Sequence, residues 1–364
     1  MREIHHHSDA IGYSADDVLQ ILGGNMVRFR RSVELARGKE FALLWDLRTL
    51  TVLSILWLAS CAKPTPERLR LVIFQGAEAP LLAQKLGFFE KEGLTVELQE
   101  IAGGSRAMEA LLSGSADSIV GTYEQAITVQ ALGKPVVAYL QLTNCHCLAM
   151  VAAPGKTISD LRGLKGKVIG VAAPGGPMQN FAARLVQQAG LVPTDVSFAA
   201  IGVGPAALVA LESGKVDAGV VLANTLVPLR ERHPEMVTLA ETFSPEGNRK
   251  VFGTDGYPSM SLLAQPAWLA ANPDRARRLV RAMQAAVAWT RGHTPEQVLA
   301  QLGSGSLGAL RLHLPRYDPR GQFQLEQAQT VFDFLAKNNA SVREARINLS
   351  QTFTNDFSQP SPGR

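Results

Sequence analysis

The chain is poor in cysteine and lacks the common sequence motifs of catalysis and nucleic-acid binding. Three cysteines in 364 residues are too few for a disulfide-based scaffold. No Lys/Arg run carries interleaved aromatic residues, which argues against nucleic acid as a partner. A phosphate-binding loop, a metalloprotease histidine pair and a nucleophile elbow are also missing. The sequence therefore offers no candidate catalytic residues, and we predict no cofactor, no metal and no enzymatic activity.

The composition that remains is that of a globular protein. Hydrophobic residues make up 46% of the chain and charged residues 19%, with a mild net charge of +4. A length of 364 residues is enough for two domains, each with its own core.

Cys61 is the most informative of the three cysteines. It directly follows a short apolar run, residues 50–60, which comes after Arg48. The run is too short to span a bilayer but suits the apolar region of a secretion signal. Its last residues, Leu58-Ala59-Ser60-Cys61, resemble the lipobox of bacterial lipoproteins, in which the cysteine is lipidated and becomes the new N-terminus. The alternative is a buried hydrophobic helix that happens to contain a cysteine.

The lipoprotein interpretation sets the boundaries of the N-terminal part. We expect residues 1–61 to be an upstream tail and lipoprotein signal, and residues 62–68 to be a Pro-containing tether. More residues precede the apolar run than a signal needs, so translation is expected to begin downstream of Met1, at Met26 or at a non-AUG start. The mature protein is predicted to be exported and lipid-anchored at the cell envelope through Cys61, because a diacylated cysteine carries two chains.

One motif occurs twice, 100 positions apart. Leu111–Asp117 and Leu211–Asp217 share Leu, Ser, Gly and Asp in register. Each copy is typical of a helix, a left-handed glycine at its end and an aspartate that leads into a short buried strand. The alternative is a chance similarity between two common helix–turn–strand units. The spacing is too long for a solenoid repeat and favours two α/β lobes of similar plan.

The rest of the chain alternates strand and helix patterns, which predicts an α/β fold with mostly parallel, doubly wound sheets in two lobes. Lobe 1 is predicted to contain residues 69–150 and 258–364, and lobe 2 residues 151–257.

Four segments are similar to a known family. They are Ala83–Leu94, Leu112–Asp117, Ile158–Val171 and Val251–Pro258. The chain resembles the type II periplasmic solute-binding proteins of the nitrate, sulfonate, taurine and thiamine-precursor group, which are extracytoplasmic receptors of ABC importers. The resemblance implies two lobes joined by two crossing strands, a small-molecule ligand closed between them, an ABC permease in the membrane as partner, and a monomer.

Candidate ligand-binding residues follow from this arrangement, because ligands of open α/β sheets lie beyond the carboxyl ends of the strands and near helix N-termini. Glycines there allow close backbone approach, and neutral polar side chains supply hydrogen bonds. The alternative is that Gly, Pro and Ser merely form the turns. The predicted residues are Gln75, Glu78, Gly104, Ser105, Thr122, Tyr123, Glu124, Gly175, Gly176, Met178, Asn224, Thr225 and Tyr257.

The charges in these loops indicate the kind of ligand. Glu78 and Glu124 lie in them but no arginine does, although Arg106 is adjacent. Two carboxylates disfavour a bare anion, so we expect a neutral, zwitterionic or amine-bearing organic molecule such as an aminopyrimidine or another heterocycle. Tyr123 and Tyr257 are candidates to stack on such a ring. The alternative is that both glutamates face solvent or stabilise helix N-termini.

Cys145 and Cys147 flank His146. In an extended segment their Cα atoms are roughly 6.5–7 Å apart, at or beyond the range of a disulfide. Two thiolates and one histidine on the opposite face do not make a closed zinc site. We therefore expect two small buried thiols.

The predicted function is a lipid-anchored receptor that captures a small molecule by lobe closure and presents it to a permease. One alternative is an enzyme of the thiamine-pyrimidine synthase type, which shares the fold. Another is a sensory lobe that signals to a membrane partner.

Overall fold

A computed structural model describes residues 68–74, 76–101 and 104–358, except for the side chain of Asn338. Cys61, the predicted signal and Gln75 lie outside the described residues. The ten strands are β1 (Leu69–Phe74), β2 (Val96–Ile101), β3 (Ser118–Thr122), β4 (Val137–Gln141), β5 (Ala149–Ala152), β6 (Val168–Val171), β7 (Ser197–Ala200), β8 (Ala218–Val221), β9 (Thr238–Glu241) and β10 (Met260–Ala264).

Except between β4 and β6, the described helices follow each strand up to β10, singly or in pairs, and those after β10 follow one another. They are α1 (Glu78–Lys85), α2 (Phe88–Lys91), α3 (Gly104–Leu112), α4 (Tyr123–Ala131), α5 (Pro177–Gln188), α6 (Pro205–Glu212), α7 (Ala223–Arg232), α8 (Pro245–Phe252), α9 (Pro266–Ala271), α10 (Pro273–Arg291), α11 (Pro295–Leu302), α12 (Leu307–His313), α13 (Leu325–Asn338) and α14 (Ala340–Glu344). Short 3₁₀ turns lie at Leu161–Leu164, Pro193–Asp195, Leu314–Arg316 and Leu349–Gln351. None of the described helices is both long enough and apolar enough to cross a membrane.

The strands form two five-stranded sheets of the same topology. The first has the order β2-β1-β3-β10-β4 and the second β7-β6-β8-β5-β9. In the first sheet β1 is parallel to β2 and β3, while β10 is antiparallel to both β3 and β4. In the second, β5 takes the antiparallel place between β8 and β9. The predicted α/β class with two doubly wound lobes is confirmed. Each sheet is mixed, because the strand on which the chain enters it from the other lobe, β10 or β5, is antiparallel to both of its neighbours.

Two crossing segments join the sheets, residues 142–148 and 242–259. They run side by side, since the Ser259 N–H donates to the Thr143 carbonyl at 3.2 Å. The second segment contains α8, whose N-terminus is capped by the Ser244 side chain, which accepts a hydrogen bond from the Gly247 N–H at 2.9 Å. The Ser-Pro pair that starts this helix, Ser244-Pro245, is a typical helix-start signal.

The repeated motif has the same structure in both lobes. Gly114 and Gly214 follow α3 and α6 with φ of 76° and 70°, so each ends its helix in the left-handed conformation. Asp117 and Asp217 then begin the turn into β3 and β8. The two copies are therefore scaffold elements at equivalent places in the two sheets.

Both faces of each sheet are packed. Helices α1, α10 and α11 cover one face of the first sheet, and α4 and α13 cover the other. Strands β3, β5, β8 and β10 are buried along almost their whole length, as expected of strands covered on both faces. The segment near the C-terminus pairs with the first sheet through Phe353 and Ala138 of β4.

Candidate functional site

A cavity of about 310 Å³ lies between the two sheets. Its size is that of a site for a small organic molecule. Both lobes and both crossing segments contribute to its wall. The polar side chains on the wall belong to Glu78, Ser105, Arg106, Thr122, Gln125, Thr143, His146, Ser259, His313 and Tyr317.

Helix N-termini converge on this cavity. Helices α1, α3, α4, α5 and α7 each place their first residue, or the residue before it, on the wall. Because the first N–H groups of a helix have no partner inside it, their partial positive charge favours an acceptor or an anionic group of a ligand. The apolar part of the wall includes Phe74, Met178, Val203 and Met260.

Glu78 brings a negative charge into the same cavity. It is the first residue of α1 and is nearly buried. Its Oε1 lies 3.1 Å from Nδ1 of His313, and its Oε2 accepts a 3.0 Å hydrogen bond from the Tyr317 hydroxyl. Tyr317 in turn accepts from the Ala79 N–H at 3.2 Å. The carboxylate is thus fixed in place by groups from the far end of the sequence.

The surroundings of Glu78 keep it ionised. Burial alone would raise its pKa, but the charge and hydrogen bond of His313, together with the Tyr317 hydroxyl, outweigh burial and lower the pKa below its usual value. Burial and the neighbouring carboxylate raise the pKa of Tyr317 well above its usual value, so the phenol stays protonated and donates. At neutral pH Glu78 is therefore ionised, beside His313 and on the same cavity wall as Arg106.

A second buried carboxylate lies behind the wall, at Glu124 in the first turn of α4. Its Oε1 accepts from the Tyr257 hydroxyl at 2.8 Å and lies 2.7 Å from Nε2 of His146. Its Oε2 accepts from the Asn180 amide of α5 at 3.4 Å. The side chains of Glu124 and His146 are each 1% exposed. Through these contacts Glu124 joins both lobes and both crossing segments. Of its partners, His146 lies on the cavity wall.

The structure brings six of the predicted ligand-binding residues to the cavity wall: Glu78, Gly104, Ser105, Thr122, Gly176 and Met178. They come from both lobes, so the two halves of the predicted site face each other. Contact with a ligand stays a prediction for each of them.

Tyr123 and Tyr257 do not lie on the wall. Both are fully buried, and the pKa of each hydroxyl is raised, mainly by burial. Tyr123 donates to or accepts from the Thr352 hydroxyl at 2.5 Å, and the Tyr257 ring stacks on Phe252 with centroids 4.1 Å apart. In this conformation neither ring is available to stack on a ligand in the cavity, because each already packs inside the protein.

The remaining predicted residues surround the cavity without lining it. Glu124 is buried and does not face solvent, and Gly175 lies in the turn before α5. Asn224 and Thr225 lie in the first turn of α7, where the preceding Leu222 supplies the wall instead.

Several wall residues were missed by sequence reasoning. His313 and Tyr317 come from α12 and the turn after it, more than 230 positions after the carboxylate they contact. No local pattern pairs residues at that separation. Gln125, by contrast, follows the predicted Thr122–Glu124 loop directly, and its Oε1 accepts from the Thr122 N–H at 2.9 Å. A glutamine at the third position of a helix is a capping-box signal that the sequence did offer.

The expectation of two free thiols is wrong, because the structure pairs Cys145 with Cys147 in a disulfide. The expectation assumed an extended segment. Instead Cys147 has a φ of 57°, and this left-handed turn brings the two Cα atoms to 5.1 Å, within disulfide range. Among the described residues, no group of three or more His, Cys, Asp or Glu side chains is arranged to hold a metal ion.

Two sheets of identical topology joined by two crossing segments, with a cavity between them, define the fold of the type II periplasmic binding proteins. The sequence model described as NMT1/THI5 like matches residues 78–297. The chain belongs to the NMT1/THI5-like family.

Known proteins with this fold include transport receptors. A solved structure from Bordetella bronchiseptica RB50 is 25% identical, with a TM-score of 0.72 over 80% of this chain and 95% of that one. The alkanesulfonate-binding protein SsuA from Xanthomonas axonopodis pv. citri, bound to MOPS, is 18% identical, with a TM-score of 0.66 over 80% of this chain and 99% of that one.

A sequence relative has a different description. The 4-amino-5-hydroxymethyl-2-methylpyrimidine phosphate synthase of Aspergillus parasiticus is 29% identical over 222 residues, which is 57% of this chain and 61% of that protein. The match therefore spans less than two thirds of the synthase.

Proposed function

We propose that the protein is an extracytoplasmic solute-binding lipoprotein. It captures a small organic molecule in the cavity between its lobes and delivers it to the permease of an ABC importer. Export and a lipid anchor on Cys61 are part of this proposal. The observation that carries it is the cavity itself, which is lined by both lobes and has the ionised Glu78 and several helix N-termini on its wall.

Capture by closure follows from the way the wall is divided. Ser105 on α3 belongs to one lobe and Gly176 before α5 to the other, and a methyl group added at Gly176 would lie 3.8 Å from the Ser105 hydroxyl oxygen. The lobes are thus close to each other at the cavity. A ligand bound between them contacts both only when they are shut, so closure and binding stabilise each other.

The charges on the wall favour a molecule that carries both a donor and an acceptor. Glu78 stabilises an ammonium, amidine or ring-amino group, whereas Arg106 and the helix N-termini stabilise an acceptor or an acidic group. An amine-bearing heterocycle or a zwitterion meets both requirements. The ligand class is the one expected from the sequence, but its basis differs, because the wall carries Glu78 and Arg106 in place of two carboxylates without an arginine.

A ligand screen by thermal shift tests the proposal. Amine-bearing heterocycles and zwitterions are expected to raise the melting temperature, because a ligand that binds only the folded state stabilises it. Loss of the charge in Glu78→Gln should weaken binding of an amine by about 10- to 100-fold, since a charge-assisted hydrogen bond contributes about 1.5–3 kcal/mol. Glu246→Gln, at an exposed glutamate paired with Lys250, is the matched control and should bind as the wild type. Stabilisation by nitrate or sulfonates alone, unchanged in Glu78→Gln, would refute the ligand class.

The synthase relative and the two histidines on the wall favour a second candidate, an enzyme that forms a thiamine pyrimidine on this fold. Turnover or a bound iron in protein purified from its own source would support the enzyme. A bound small molecule that is released unchanged would support the receptor.

A further inference from the structure

Helix α12 (Leu307–His313) packs against both lobes. Leu310 belongs to the core cluster of the first sheet, together with residues of α1 and α11. Ala309, the residue before it, belongs to a core cluster of the second sheet that includes Leu226 and Leu229 of α7. Adjacent residues of one short helix therefore lie in the cores of different lobes, so α12 joins the lobes outside the two crossing segments.

Gly308 allows α12 to approach α7 closely. A methyl group added at Gly308 would lie 2.6 Å from Cγ1 of Val227 on α7, which is closer than side chains pack in folded proteins. The φ of Gly308 is not positive, so the backbone conformation does not require glycine at this position. Glycine is also less favourable than alanine inside a helix. The close contact between the two helices is therefore the physical reason for this glycine.

The last residue of α12, His313, reaches the cavity wall in the first lobe. Its Nδ1 lies 3.1 Å from Oε1 of Glu78, and its ring lies beside that of Phe243 in the second crossing segment, with centroids 5.8 Å apart. The turn after α12 contacts the first crossing segment, since the Asn144 N–H donates to the Arg316 carbonyl at 3.0 Å. A change in the angle between the lobes must therefore alter at least one contact of α12.

We propose that α12 is a clasp between the lobes, and that its docking on α7 places His313 against Glu78. In the shut arrangement the helix is seated on α7, and the histidine holds the carboxylate on the cavity wall. When α7 moves away with the second lobe, α12 shifts and Glu78 loses this partner, because packed interfaces change between discrete arrangements. His313 is thus a positioning residue that acts on the ligand through Glu78. The inference rests on the proposed capture function and adds how closure controls its site.

Gly308→Ala disturbs the clasp without changing a residue of the cavity wall. The added methyl group forces α7 and α12 apart. Val227→Ala removes both Cγ atoms and leaves Cβ at 3.4 Å from that methyl group, an ordinary contact, so the double variant Gly308→Ala/Val227→Ala should restore docking. Gly292→Ala at the end of α10, where the nearest atom is 3.7 Å away, is the matched control.

Two measurements on the full chain without ligand follow the clasp. Small-angle X-ray scattering gives the radius of gyration, and carboxyl ¹³C NMR, assigned with Glu78→Gln, gives the pKa of Glu78. Burial raises this pKa, and His313 opposes burial and helps to lower it. In Gly308→Ala we expect a larger radius of gyration and a rise of the Glu78 pKa towards its usual value. His313→Gln should raise the pKa at an unchanged radius, whereas the double variant and Gly292→Ala should match the wild type.

The outcomes separate the clasp from solute capture. A Glu78 pKa in Gly308→Ala equal to that of the wild type, or a double variant no closer to the wild type than Gly308→Ala, overturns the clasp and leaves capture standing. If Gly308→Ala does not fold, Val227→Ile takes its place, because it adds a methyl group at the same contact from the side of α7. Failure of every ligand in the thermal-shift screen, with the expected pKa changes present, overturns capture and not the clasp.

Discussion

Asp117 and Asp217 make the same backbone contacts in the two lobes. The Asp117 carboxylate accepts from the Arg70 N–H at 2.8 Å, and its own N–H donates to the Arg70 carbonyl at 3.0 Å. Asp217 makes the same pair of bonds with Val168, at 3.0 and 2.8 Å. Each aspartate thus joins the strand that it precedes to the neighbouring parallel strand. The aspartate of the repeat is needed for this two-way hydrogen bonding, which no apolar residue provides.

Asp217→Asn is expected to destabilise the protein by about 1 kcal/mol, since it weakens one charge-assisted hydrogen bond at a half-buried site. Val168 and Lys156 lower the pKa of Asp217 below its usual value. A carboxyl whose pKa is lowered by folding stabilises the protein above its unfolded pKa and loses this contribution as the pH falls through the folded pKa. Part of the acid sensitivity below about pH 4 should therefore disappear in the variant.

Urea unfolding at neutral and acidic pH measures both effects. Asp274→Asn is the control, because the Asp274 side chain is 85% exposed on α10 and pairs with Arg277 across one helical turn, so its effect on both values should be small. Equal acid sensitivity of Asp217→Asn and the wild type would contradict the assigned role.

At the scale of elements, the repeated motif allowed two lobes of similar plan to be predicted. The strand and helix patterns in the rest of the chain agree with that prediction. The left-handed glycines, the buried strands and the alternation with helices are local features, and the structure contains them. The antiparallel strands β5 and β10 are different, because a short apolar strand looks the same in either direction. Their place in the sheets depends on where the chain crosses between lobes, which local patterns do not encode.

Gly114→Ala and Gly214→Ala test the helix ends directly. A methyl group at either position meets no atom closer than 4.0 Å, so only the backbone conformation opposes it. Each substitution should cost about 1 kcal/mol, since alanine disfavours a positive φ. Gly292→Ala, at the end of α10 with a φ of −90°, is the matched control and should be neutral or slightly stabilising. Denaturant midpoints that are the same for all three variants would show that the left-handed turns do not matter.

At the scale of the whole molecule, the candidate site could be predicted only in part. The loops at the carboxyl ends of the strands could be predicted as site loops, because sheet topology places them at one edge. Glu78, Ser105 and Thr122 lie in or next to these loops and are on the cavity wall. His313 and Tyr317 could not be found in this way, since they reach Glu78 from α12 and the turn after it, which follow the last described strand, β10. The tyrosines expected to stack on a ligand have polar and aromatic partners inside the protein, which residue type alone does not reveal.

Membrane anchoring through Cys61 is a prediction for the whole molecule. In a bacterial host the protein is expected to be labelled by a radioactive fatty acid and to partition into detergent, because two acyl chains are enough for stable anchoring. Cys61→Ser should abolish both properties. Cys145→Ser, in the disulfide of the crossing segment, is the control and should leave labelling intact. Labelling that persists in Cys61→Ser would exclude this anchor.

The central claim, that the cavity between the lobes captures a small organic molecule, is tested most directly by native mass spectrometry of the protein purified without refolding. We predict a bound species that is released on denaturation, carries an N–H donor, and is absent from Glu78→Gln purified in the same way. A wild-type protein that carries an inorganic anion in the cavity, or whose bound molecule is retained equally by Glu78→Gln, would contradict this account.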